Sequence, residues 1–338
     1  MRFLYNNKIY WLSTIFFNLA LLIVATNSAC AASNWTLGVT PQLLMAQYNG
    51  SEERDTMAAY GLFAKADYLD KGGLTLGYNF TSVNGKTANP DIDENTWYLS
   101  GRLIRYSDLL AGKLGLRLDG YDITDKYKIS IATPAIIVRR RRPIPPGTTT
   151  ATFTDNVSVV YAQLDYTNYS ERFYADIAYA ASDYNYDADA ELRDNQVQQF
   201  TTTASMAFNN RYDLLQTRFY FIHLDHGDNT DGLKSSNAVE FKWLRWYKPN
   251  ALLNINSSMI KLVAGKRLYP VDPDAAATYS ISDVQTSSAA AGLDWKIGEQ
   301  IKFFLLAGYD QYERPAFDGE PSDKYSTLYL FGSVSLNW

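Results

Sequence analysis

The chain carries a single cysteine, Cys30, and two histidines, His223 and His226, in 338 residues. One cysteine closes no intrachain disulfide and builds no cysteine-ligated metal site, so neither staple supports the fold. Past residue 32 there is also no apolar run long enough for a helix to cross a bilayer, which excludes a helical membrane protein. A basic excess is missing too. The formal net charge is -5, and it becomes -7 (29 basic against 36 acidic) once the N-terminal Arg2 and Lys8 are left out. A chain of that sign does not seek nucleic acid.

Tyrosine is abundant, at 26 residues, and is joined by 7 tryptophans. Such amphipathic rings concentrate where hydrocarbon meets water, although a soluble all-β protein would also use them as core. Residues 1–32 read as a cleaved export signal. Arg2 and Lys8 lead, an apolar stretch runs from Ile9 to Ala25, and small residues surround Ala29, Cys30 and Ala31. A lipoprotein signal would want Leu, Val or Ile where Asn27 stands. Removal of this leader would take Cys30 with it and leave residues 33–338 as one thiol-free domain.

From Asn34 to Trp338 the chain falls into stretches of roughly ten residues that alternate apolar and polar, the signature of strands. Leu114, Leu116 and Leu118 share one face, with Lys113, Arg117 and Asp119 on the other. Trp97, Leu99 and Leu103 oppose Thr96, Tyr98, Ser100 and Arg102, and Phe173, Ala175, Ile177 and Tyr179 oppose Tyr174 and Asp176. In a soluble sandwich the apolar face is the core, whereas in a membrane barrel it looks outward at lipid. A second rhythm separates the two. Short connections near Asp70–Gly73, Ser107–Asp108, Asn168–Ser170, Asn209–Asn210, Lys248–Asn250 and Gly298–Glu299 alternate with longer polar ones, as in barrels with tight periplasmic turns and longer external loops. The expectation is an all-β, antiparallel, up-and-down transmembrane barrel of about fourteen strands with both termini on the periplasmic side. Its least regular strands are expected at 251–266, where the alternation shifts phase as a bulge would make it, and at 279–296, where small residues blur the faces.

The last strand ends Leu328-Tyr329-Leu330-Phe331-Gly332-Ser333-Val334-Ser335-Leu336-Asn337-Trp338, with Leu330, Val334 and Leu336 in phase with the final aromatic. This resembles the C-terminal assembly signal of bacterial outer-membrane barrels. It departs from the commonest form in ending on Trp rather than Phe, and in holding Gly332 where Tyr is frequent. The resemblance implies residence in the outer membrane, with its lipid and lipopolysaccharide, and recognition by periplasmic chaperones and the barrel-assembly machinery. In size and lean loops the chain is similar to monomeric fourteen-stranded porins, and less so to long-chain fatty-acid transporters.

A ring of about fourteen strands encloses room for water unless something blocks it, so the pattern predicts a channel for passive diffusion of small hydrophilic solutes or ions. The expected lining mixes both signs. Lys65, Asp67, Arg102, Lys113, Arg117, Asp119, Gln163 and Asp165 come from the N-terminal half; Asp176, Arg218, Glu240, Lys242, Lys302 and Asp310 come from the C-terminal half. A mixed lining predicts weak ion selectivity. Residues 125–155 read as a long loop carrying Arg139, Arg140, Arg141 and Arg142. These side chains are either a cationic constriction or a solvated arm facing lipopolysaccharide phosphates.

Two other classes stay open. A sheath or export conduit around a partner would share the architecture. A rim hydrolase would draw on His223 and His226 within His223-Leu224-Asp225-His226-Gly227-Asp228, but no nucleophile motif accompanies them, and the acidic spacing does not match a calcium loop. No catalytic residue, metal or cofactor is expected.

Overall fold

The protein is described here by a computed structural model covering residues 34–69, 71–86, 91–107, 111–133, 147–169, 172–186, 195–225, 235–248, 255–268, 284–298, 300–314 and 323–338. Alternation becomes strand throughout. The elements are β1 (Trp35–Asn49), β2 (Arg54–Tyr68), β3 (Gly72–Gly85), β4 (Asp91–Ser107), β5 (Gly112–Thr133), β6 (Gly147–Tyr169) and β7 (Phe173–Tyr186), followed by β8 (Asn195–Phe208), β9 (Asp213–Asp225), β10 (Ser235–Trp246), β11 (Ile255–Leu268), β12 (Val284–Ile297), β13 (Ile301–Arg314) and β14 (Asp323–Asn337). Each pairs antiparallel with its sequence neighbours, and β1 pairs with β14, so the fourteen strands form one closed barrel. Closure leaves no sheet edge, as hydrocarbon demands of a spanning sheet.

At the closing seam the final residue is pinned, since the Leu37 and Trp338 backbones exchange hydrogen bonds of 3.0 and 2.9 Å. Tight turns at the rim holding both termini use left-handed backbone. Asn209, Asn210 and Arg211 take φ of 51°, 54° and 69°, a conformation asparagine tolerates well. The other rim, where β1 passes to β2 and each later odd strand passes to the next even one, is called here the loop rim.

The two faces of the sheet differ sharply. Leu99, Leu118 and Leu164 are 55–58% exposed on one, while Asp119 and Asp165, with 3% and 4% exposure, lie on the other. Neighbouring side chains converge on the concave side of a closed sheet and diverge on the convex side. The exposed apolar face is therefore outward and the buried polar face inward, the inverse of a soluble sandwich. Trp35 and Tyr68, with ring centroids 5.1 Å apart, and Trp243, whose indole donates to Asp213 at 3.1 Å, mark an outward aromatic girdle near the turn rim.

One expectation changes. Residues 125–155 are not a loop throughout. β5 and β6 stay paired from Asp125↔Asp155 to Thr133↔Gly147, because β-branched Ile129, Ile131, Thr148, Thr149 and Thr150 favour extended backbone. The Arg139–Arg142 run lies outside the described residues, as do His226 and the proposed leader. The phase shift at 251–266 is a real irregularity. β11 and β12 slip register between Ile255 and Ser257 and again between Ala264 and Arg267, where Gly265 has φ +110°.

Candidate functional site: the barrel interior

All fourteen residues singled out from the alternation fall on the inward face. Most of them do not stand as free charges. Lys65 pairs with Asp67 at 2.7 Å, Arg117 with Asp119 at 2.8 Å and Lys302 with Asp294 at 3.5 Å. Arg102 reaches Asp165 at 3.9 Å, from β4 to β6 across the intervening β5. That crossing depends on Gly115, because a Cβ there would collide with the Asp165 carboxylate. Gln163 donates to Asp165 at 3.3 Å, Thr167 to Asp176 at 3.3 Å and Arg218 to Thr203 at 3.2 Å. Lys113 and Lys242 face the same side. Paired charges in a wall largely cancel each other's field.

Nearer the loop rim the inward face changes character. Tyr98, Tyr121, Ile123, Val159, Tyr161, Val197 and Ile222 form one buried cluster, and Leu44, Tyr48, Met57, Tyr312 and Tyr325 form a second. Tyr220, Ala238 and Val263 continue the band across β9–β11. Val159 and Ile222 are 1% and 2% exposed, so their side chains are packed among their neighbours at this level. Together these clusters form an apolar, tyrosine-rich collar. The all-polar lining expected from the alternation is thus confined mainly to the turn-rim half. In-phase apolar residues carried the missed signal: on β5 the face that begins Arg117, Asp119 continues as Tyr121, Ile123.

Tyrosine hydroxyls join the two zones. Tyr98 accepts from Arg117 at 2.7 Å, Tyr220 donates to Glu240 at 3.0 Å, and Tyr312 donates to Asp310 at 3.0 Å. The Arg267 guanidinium lies 4.1 Å over the Tyr220 ring, a cation–π contact. Tyrosine abundance therefore has a second cause besides the membrane interface. Each ring covers the apolar wall while its hydroxyl satisfies a carboxylate or guanidinium. His223 instead points outward near the loop rim, in a surface groove with Tyr179, Phe200 and Phe221.

No protein-family profile matches the chain, and no curated protein matches it in sequence. Solved structures do match in shape. A deletion mutant of the monoaromatic hydrocarbon channel TodX aligns with a TM-score of 0.51 at 9% identity, covering 91% of both chains. The chain has the fold of a bacterial outer-membrane barrel. A Pseudomonas aeruginosa FadL homologue aligns at TM-score 0.49 and 11% identity over 90% of this chain and 89% of its own. Pseudomonas aeruginosa OpdO aligns at 0.40 and 11% over 90% and 97%.

Proposed function

We propose that the protein is an outer-membrane channel through which small uncharged and weakly amphipathic solutes diffuse passively, exported by a leader at residues 1–32 and assembled through Leu330, Val334, Leu336 and Trp338 by the periplasmic chaperones and barrel-assembly machinery. Lipid and lipopolysaccharide of a Gram-negative outer membrane surround it. The observation that carries this reading is the tyrosine-rich apolar collar above a wall whose charges are mostly paired. An ion entering the collar would lose hydration that no fixed opposite charge replaces, whereas a neutral solute with an apolar face gives up little. Weak charge selectivity follows for the same reason. The collar narrows the broader expectation of a channel for hydrophilic solutes and ions.

Proteoliposome swelling and planar-bilayer recording test this together. Small sugars and aromatic alcohols should enter, while ionic conductance stays low with cation and anion permeabilities within a few-fold of each other. A large ohmic conductance in the wild-type protein would overturn the collar as barrier. Failure of every solute to enter folded, inserted protein would overturn the channel.

A further inference from the structure

The barrel closes where β1 meets β14, and this seam is interrupted. On its β2 side, β1 pairs residue by residue from Trp35 to Gln47. On its β14 side the pairing stops at Val39↔Leu336 and resumes at Gln42↔Ser333 in the same register, skipping Thr40 and Pro41. Proline has no amide hydrogen to give a ladder, and inside a sheet it belongs at edges and irregularities. Its place at the join of a closed barrel leaves a local gap. One side-chain hydrogen bond, Thr40 Oγ1 to Ser335 Oγ at 3.1 Å, spans the interval on the inner face.

A second observation lies outside the same gap. A groove of about 680 Å³ opens on the outward surface, bounded by Pro41 and Leu43 of β1, Gly332 and Val334 of β14, and Phe303 and Leu305 of β13. Gly332 is the cause of the hollow. A Cβ at this position would meet nothing closer than 4.0 Å, so the space is open where a side chain would otherwise stand. It is also the position at which the C-terminal strand departs from the aromatic frequent in the barrel signal it resembles. The interrupted ladder, the missing side chain and the groove coincide. The inner mouth is polar, with Thr40, Gln42, Ser333 and Ser335, and the outer mouth is apolar.

The geometry points to a lateral portal at the Pro41–Gly332 stretch of the β1–β14 seam, through which small amphipathic molecules pass between the barrel interior and the hydrocarbon of the membrane. A polar head group fits the hydroxyl- and amide-bearing inner mouth while an apolar body lies in the groove. Opening breaks the Thr40–Ser335 hydrogen bond and few backbone bonds, since the ladder is already interrupted there. Elsewhere in the barrel the same opening would strand several backbone groups in lipid, each at a cost of several kcal/mol. This portal deepens the channel reading by assigning an exit for its amphipathic solutes.

The test locks the seam. Gln42→Cys with Ser333→Cys places thiols on directly paired inward-facing residues, in a Cys30→Ser background that leaves no other cysteine. Gly332→Phe is an independent variant that fills the groove and returns an aromatic to the strand. Proteoliposomes with lipopolysaccharide in the outer leaflet and phospholipid in the inner leaflet are challenged with N-phenylnaphthylamine, which fluoresces on reaching hydrocarbon, and in parallel with arabinose in a swelling assay. Expected is dye entry slowed at least five-fold by oxidation of the cysteine pair, restored by reduction, and slowed likewise by Gly332→Phe, with arabinose swelling unchanged. Equal dye entry in oxidised, reduced and Gly332→Phe protein would overturn the portal while leaving an axial channel standing. Arabinose and dye slowed equally would mean that the lock distorts the whole barrel, and would also overturn it. If the wild-type protein speeds neither probe, the channel reading fails with it.

Discussion

Arg117 and Leu118 are adjacent in sequence and sit in opposite solvents. The guanidinium of Arg117 faces inward, 2.8 Å from Asp119, while Leu118 is 55% exposed on the lipid face. Their substitutions should therefore fail for opposite reasons. Arg117→Leu leaves the buried Asp119 carboxylate without its cation and should cost about 3 kcal/mol. Leu118→Arg puts a charge against acyl chains and should cost about 2–4 kcal/mol. Urea unfolding in lipid vesicles measures both. The two residues could be told apart from the sequence because alternation with period two assigns faces locally. That Arg117 also donates to the Tyr98 hydroxyl could not be, because Tyr98 lies on the preceding strand and local alternation does not give the register between strands.

At the scale of elements, β11 is the irregular member. Gly265 sits in its second bulge with φ +110°, and a Cβ there would lie 2.7 Å from the Asn237 carbonyl oxygen and 2.9 Å from the Ala238 Cα. The neighbours in question are backbone and cannot step aside. Just past the bulge, the Arg267 guanidinium lies over the Tyr220 ring. Gly265→Val should thus destabilise the barrel by about 1–3 kcal/mol and, in a crystal structure of the variant, displace Arg267 from that ring. The phase shift in the alternation marked this strand as irregular, whereas the extended β5–β6 hairpin was hidden. A dense run of arginine and proline at 139–146 dominates the polarity of that segment and masks the β-branched residues on either side.

For the whole molecule, the proposed function makes the collar the barrier to passage. Ile222→Ala combined with Val159→Ala removes two of its most buried side chains and should raise single-channel conductance several-fold in planar bilayers with little change in ion preference, since neither residue is charged. Unchanged conductance would place the barrier elsewhere. Strand number, the inward or outward sense of the cleanly alternating strands and the membrane setting were legible in the residues, because alternation and turn chemistry are properties of a few consecutive positions. Arg102 meeting Asp165 over Gly115, tyrosines from several strands packing into one buried cluster, and Pro41 lying opposite β14 rather than against a free edge are contacts between residues far apart in the chain. They depend on register and on where the sheet joins itself. A local pattern cannot encode that join, because it comes into being only when the last strand finds the first.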